Sequence, residues 1–258
     1  MRALILAAGR GSRMGKLGDE RPKCLVELQG RPLLERQVAA LRRGGVSDIG
    51  IVRGYQAAKF DFPGLTYFDN KRWAETNMVM SLAAAAEWLR LGPVIVSYAD
   101  IFYRGDLIRG LAAAPGSLVI TYDRSWRELW SRRFADPLSD AETFRVSPQG
   151  ELLEIGGKTG RIEDIEGQYM GLLKFTPTAW DAVESLLAAL EAPVRDRLDM
   201  TGLLRRLLAA GSLSINTHAT DGQWGEIDNP GDVDLYQQMI SDGDLVLEEG
   251  AAIGLAAP

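Results

Sequence analysis

MRALILAAGRGSRMGKLGDERPKCLVEL, residues 1–28, decides the reading of this chain. Ala3–Ala8 is an apolar run of the length of a buried strand, and it breaks directly into a loop of glycine and arginine. Pro22-Lys23 follows and leads into a second apolar stretch. A strand whose end feeds such a loop is the layout of an anion cradle. Glycines let backbone N–H groups approach a phosphate, and Arg10, Ser12, Arg13 and Lys23 add donors and positive charge. Two familiar phosphate loops fail here. A Walker A loop needs Gly-Lys followed by Ser or Thr, but Gly15-Lys16 is followed by Leu17, and the earlier glycine position holds Arg10. A G-x-G-x-x-G dinucleotide turn is met by Gly9 and Gly11 and missed at Met14.

Downstream, strand and helix patterns alternate. Strands are expected at Ala3–Ala8, Ile49–Val52, Leu65–Phe68, Val94–Tyr98 and Leu118–Tyr122, and helices at Pro32–Arg43 and Met78–Leu91. This rhythm implies an α/β fold, a mostly parallel, doubly wound, Rossmann-like sheet covered on both faces, with ligands at the carboxyl ends of the strands. Residues 123–160 are polar and aromatic instead, with a hairpin expected from Thr143–Val146 and Leu152–Ile155 around Pro148-Gln149-Gly150. The α/β rhythm returns with strand Tyr169–Phe175, helix Pro177–Leu190, helix Thr201–Ala210, strand Leu213–Asn216 and helix Asp232–Ser241. No linker divides the chain. One domain over 1–258 is expected, with a first half at 1–122, a second half carrying the inserted segment at 123–242, and a tail at 243–258.

At 258 residues and 46% hydrophobic composition, the chain can bury one large core. Its 29 basic and 35 acidic residues give a net charge of −6 with no basic stripe, which argues against a nucleic-acid partner. No apolar run is long enough to span a membrane, and the first strand lacks the features of a signal peptide; a cytoplasmic location is expected, more from the chemistry of the loop than from the cysteine count. The single cysteine, Cys24, reads as a buried packing thiol.

Leu6 to Met14 with Pro22-Lys23 carry the pattern L-x-x-G-x-G-(S/T)-R-(L/M) followed by P-K. This resembles the nucleotidyltransferases that join an NTP to a sugar 1-phosphate or another phosphorylated alcohol. The resemblance extends to Asp100 at the end of an apolar strand, with Ala99 where the family usually has glycine. It also covers Trp224 to Asp232, which matches W-x-(E/D)-I-D-(T/N)-P-x-D. It implies that the loop wraps the NTP phosphates, and that Arg13 and Lys23 are catalytic. Leu6, Ala8, Gly9, Gly11, Ser12, Tyr98 and Ala99 would line the nucleotide. Asp100 and Asp228 would hold Mg²⁺, with Glu226, on the same side of an extended chain, as a third candidate. Helix capping competes with metal binding at both aspartates.

Thr76-Asn77-x-x-x-Ser81-Leu82 is similar to the cytidylyltransferases that act on phosphocholine or aminoalkylphosphonates. CTP is therefore the expected nucleotide, with Thr76, Asn77 and Ser81 as base or ribose contacts and N-capping by Asn77 as the competing role. Lys158 after Gly156-Gly157 occupies a place where relatives contact the acceptor phosphate; an exposed turn lysine is the alternative. Trp126, Trp130 and Tyr169 could enclose a cationic head group, with Glu166 meeting an ammonium or amide, and core packing competes with that cage. The segment 132–143 resembles a subgroup whose acceptors include phosphoglutamine.

The expected activity is thus Mg-dependent transfer of CMP to a small phosphorylated acceptor with release of pyrophosphate, of the kind that serves cell-surface polysaccharide biosynthesis. Sugar 1-phosphates with UTP, TTP or GTP are the alternative substrates. A regulatory subunit is disfavoured because Arg13, Lys23, Asp100 and Asp228 are all retained. The sequence admits a homodimer. The one histidine, His218, is read as structural, since an anionic acceptor needs no general base.

Overall fold

The first strand sets the architecture. In β1 (Arg2–Ala7), Ala3, Ile5 and Ala7 join one buried cluster and Leu4 and Leu6 join another, so alternate residues feed cores on opposite faces of one sheet. This is the burial pattern of a parallel strand covered on both sides. A computed structural model describes residues 1–15, 18 and 21–248; Lys16, Leu17, Asp19, Glu20 and the end of the expected tail, 249–258, lie outside the described residues.

A small hairpin, β2 (Glu27–Leu28) and β3 (Arg31–Pro32), precedes β4 (Asp48–Arg53), β5 (Thr66–Asp69), β6 (Val94–Tyr98), β7 (Ile101–Phe102) and β8 (Leu118–Asp123). Then come β9 (Phe144–Val146), β10 (Leu152–Ile155), β11 (Gln168–Phe175), β12 (Ile215–Thr220) and β13 (Gly225–Glu226). Seven strands form the central sheet in the order β12-β8-β11-β6-β1-β4-β5, and only β11 runs antiparallel to its neighbours.

One face is covered by α1 (Leu33–Arg43), whose Leu33, Leu34, Val38 and Leu41 are fully buried. The other face carries α2 (Met78–Ala83) and α3 (Ala86–Leu91). Sequence reading joined these two into one helix. The break at Ala84-Ala85 is a tight turn that buries Ala85 completely and sets Trp88 edge-on to Phe68 at 5.1 Å. Alanine favours continued helix, so packing overrides propensity here.

α4 (Gly105–Ala113) returns to the first face; its two glycines hid it from a periodicity reading. Gly110 is required there because a Cβ would lie 2.4 Å from His218 Nε2. Burial and Lys174 lower the pKa of His218, which fits a neutral, packed imidazole. The chain continues through α5 (Trp126–Arg133), α6 (Pro177–Ala189), α7 (Ala192–Asp196), α8 (Met200–Ala210) and α9 (Pro230–Ser241). The expected strand Leu213–Asn216 is instead β12, shifted toward the polar run Asn216–Thr220. As an edge strand it need not alternate apolar residues, and the β9–β10 turn covers its start, where Thr217 N donates to Gly150 O at 2.8 Å. Among the described residues, no helix is long and apolar enough to cross a membrane.

Candidate active site

Asp100 and Asp228 meet because their segments pair. β6 ends at Tyr98, Ala99-Asp100 turn the chain, and β7 pairs antiparallel with β13, placing Glu226 opposite Ile101. Ile227 N donates to Asp100 O at 2.9 Å, closing this two-stranded clamp. As a result, carboxylate oxygens of Asp100, Glu226 and Asp228 lie within 4.8 Å of one another. The capping alternative does not hold at either aspartate. Asn229 caps α9 in a reciprocal capping box with Asp232, and Arg104 precedes α4.

β1 delivers the complementary charge from an adjacent strand end, where Leu6 lies opposite Tyr98. Lys23 Nζ donates to Asp100 Oδ2 at 2.7 Å and to Asp228 Oδ1 at 2.6 Å, and Arg13 Nη1 donates to Asp228 Oδ2 at 3.1 Å. Gly11 makes this approach feasible. Its φ of +67° lies in the left-handed region, and a Cβ would sit 3.0 Å from Lys23 Cβ. Burial alone would lower the pKa of Lys23, but Asp100 and Asp228 outweigh it and raise the value. Burial likewise pushes Asp228 up, and Lys23, Arg13 and Arg133 together bring it below the usual range. Glu226 goes the other way, up to about 8, because burial and its two acidic neighbours exceed the help of Arg133 and Lys23.

A cleft of about 260 Å³ opens beside this group. Leu6, Ala8, Gly9, Gly11, Ser12 and Arg13 line one wall, with Lys23, Ala99 and Asp100 at the charged end. Thr76, Asn77 and Ser81 also line the cleft, together with Trp73 and Met78. A Cβ on Gly9 would meet nothing within 4 Å, so this backbone faces open space. Thr76 and Ser81 are tied together by Asn70, whose Nδ2 donates to Thr76 Oγ1 and Ser81 Oγ, both at 3.0 Å. Asn77 accepts from Met78 N as the cap of α2 while still lining the cleft, so capping and facing the cleft coexist. Tyr98 does not line it. Its ring packs over Gly171 and edge-on to Tyr169 at 5.9 Å, since the side chain points across the sheet toward β11.

The tryptophans of the expected aromatic cage turn inward. Trp126 and Trp130 are 3% and 4% exposed and pack with Trp224 in the core. The cation over the Trp130 ring is the chain's own Arg133, at 5.4 Å, and Trp130 Nε1 donates to Asp140 Oδ2. Glu166 is exposed and accepts from Val146 N at 2.8 Å, closing the β9 end. Tyr169 is half-buried against Tyr98. Lys158 is exposed, and its ammonium donates to Asp140 O at 3.3 Å.

Arg133 was missed in this role. Its guanidinium is fully buried and lies 3.0 Å from Asp232, 3.3 Å from Glu226 and 3.7 Å from Asp228. The resemblance over 132–143 includes it but gives it no role, and Arg132 beside it makes exposed pairs with Glu128 and Asp244. Asp232 relays this charge to the backbone, accepting from Asp228 N at 2.7 Å and Asn229 N at 3.0 Å. A second anchor holds the same loop: buried Asp123 accepts from Trp224 Nε1 at 2.8 Å and from Gly222 N at 3.0 Å. The donor set suits a divalent cation. It is all carboxylate oxygen, Lys23 already bridges two of its members as a cation, and buried Asp100 Oδ1 accepts no hydrogen bond from the described residues.

The family model described as MobA-like NTP transferase domain matches residues 3–210. A CTP:phosphoglutamine cytidylyltransferase of Campylobacter jejuni is 34% identical over 256 residues, covering 91% of this chain and 98% of its own. A choline-phosphate cytidylyltransferase of Streptococcus pneumoniae is 35% identical over 116 residues, 42% of this chain and 51% of its own. Among solved structures, the inositol-1-phosphate CTP transferase from T. maritima superposes with a TM-score of 0.72 at 16% identity, covering 95% of this chain and 97% of its own, a likeness of fold. The chain is a nucleotidyltransferase of the MobA-like NTP transferase domain family.

Proposed function

We propose that the protein is a cytidylyltransferase that joins CMP from CTP to a small phosphorylated amine, amide or phosphonate and releases pyrophosphate. The convergence of Lys23, Asp100 and Asp228 beside the glycine loop carries this reading. The full-length similarity to a CTP:phosphoglutamine cytidylyltransferase supports the nucleotide and acceptor class.

The triphosphate lies along Gly9–Arg13, with the base toward Thr76, Asn77 and Ser81 and the α-phosphate toward Lys23. Asp100 and Asp228, with Glu226 beside them, would hold a magnesium ion, which would supply positive charge against the α-phosphate. Lys23 and Arg13 turn from the carboxylates to phosphate oxygens. Lys158 meets the acceptor's phosphate. An acceptor oxygen forms the new bond to the α-phosphorus as the bond to the β-phosphate oxygen breaks, and pyrophosphate leaves with that electron pair. The acceptor oxygen is already anionic, so no general base is needed. Catalysis is positioning plus charge neutralisation. We place the reaction in the cytoplasm, its product being an activated group for cell-surface polysaccharide.

A pyrophosphate-release assay tests this with CTP, UTP, GTP and TTP against phosphoglutamine, phosphocholine, 2-aminoethylphosphonate and glucose 1-phosphate. Fastest turnover is expected with CTP and a nitrogen-bearing acceptor. Fastest turnover with UTP or TTP and glucose 1-phosphate would replace this reading with that of a sugar-phosphate enzyme.

A further inference from the structure

We infer that Gln37 is a positioning residue that holds Asp100 in place for its cation. The inference rests on the proposed role of Asp100 and goes beyond it to a residue on another element. Gln37 lies in the middle of α1, fully buried, between Leu34 and Leu41 on an otherwise apolar face. A leucine would serve packing there. The amide serves something else: Nε2 donates to Tyr98 O at 2.7 Å and to Ile101 O at 2.6 Å.

Those two carbonyls flank Ala99-Asp100. They close β6 and open β7, where the chain leaves the central sheet and its ladder partners. A buried carbonyl without a donor is costly, so the turn needs a donor from outside the sheet. One NH₂ group supplies both hydrogens and fixes the width of the turn at its two ends. Ser97 and Tyr103 brace the near side: Tyr103 Oη donates to Ser97 Oγ at 3.1 Å, and Ser97 Oγ donates to Tyr98 O at 2.9 Å. Ile227 N holds the Asp100 carbonyl on the far side. The backbone around Asp100 is thus held on both sides, and among the described residues Gln37 is the side chain that ties its two ends together. Partners of this outer kind typically change metal affinity by about 10–100-fold when lost.

The test titrates Mn²⁺ alone into the full chain, read by electron paramagnetic resonance, with thermal melting in parallel. Gln37→Met keeps the shape and removes the donor. Gln37→Asn keeps the donor and withdraws it by one methylene. Leu41→Ala, one turn along α1, is a stability-matched control, and Asp100→Asn tests the underlying reading. At a temperature well below every melting transition, both Gln37 variants are expected to weaken Mn²⁺ by about tenfold or more, with Leu41→Ala unchanged and Asp100→Asn weaker still. Wild-type affinity in whichever Gln37 variant folds, with Asp100→Asn weakened, overturns the positioning role alone. An equal loss in Leu41→Ala also overturns it, since general loosening would then suffice. Unchanged affinity in Asp100→Asn overturns the cation reading itself.

Discussion

The charged end of the cleft and the aromatic segment that follows β8 were both marked by unusual residues, yet the fold uses them in opposite ways. At the charged end, Lys23, Asp100 and Asp228 arrive from three distant stretches, and Lys23 and Asp100 line a cleft. In the aromatic segment, Trp126 and Trp130 turn inward, and an internal guanidinium takes the place a ligand cation would have had. Charges brought together need partners or a ligand, so their convergence points to function. Tryptophans serve a core as readily as a cage, and only burial separates the two.

The strongest challenge to this contrast comes from the aspartates. Asp100→Asn and Asp228→Asn should each lower kcat by about 10³-fold or more, roughly 4 kcal/mol, with the melting temperature held. Turnover within tenfold of wild type in either would remove that carboxylate from the chemistry. Next is Arg133→Met, which strands buried carboxylates and should cost about 3 kcal/mol of stability in urea unfolding. A neutral result would mean that the acids relax without it. Trp130→Phe should cost about 1–3 kcal/mol through lost packing and the stranded Asp140 bond, with acceptor KM unchanged. A raised acceptor KM at unchanged stability would restore the cage.

Smaller effects sharpen the boundary between the regions. Lys158→Ala should raise acceptor KM about tenfold, about 1.4 kcal/mol, and leave the CTP KM alone; equal changes in both would move Lys158 out of the acceptor site. Glu226 should show itself in pH dependence. Its folded carboxyl holds a proton up to about 8, whereas an ordinary glutamate gives it up near 4.5. Between those limits the unfolded chain binds fewer protons, so stability falls as pH rises. Metal-free wild type should therefore lose melting temperature relative to Glu226→Gln from about pH 5 to pH 8. Parallel profiles would mean that Glu226 is ionised throughout and paired with Arg133.

Much of the fold was legible because parallel strands buried on both faces are continuous apolar runs, as in β1 and β6. What stayed hidden lacked that signal. β12 is a polar edge strand, α4 carries two glycines, and the split between α2 and α3 is set by packing. At the site, the loop, Lys23 and the acids carry spacing that can be read. Arg133 and Gln37 work through contacts with segments remote in sequence, and no local pattern announces them.

The central claim, that Asp100 and Asp228 share one divalent ion, is tested most directly by anomalous diffraction from crystals grown with CTP and Mn²⁺. The expected result is a manganese peak bonded to both carboxylates, with Lys23 Nζ moved onto phosphate. A peak bound to neither, with Lys23 still bridging the two aspartates, would contradict it.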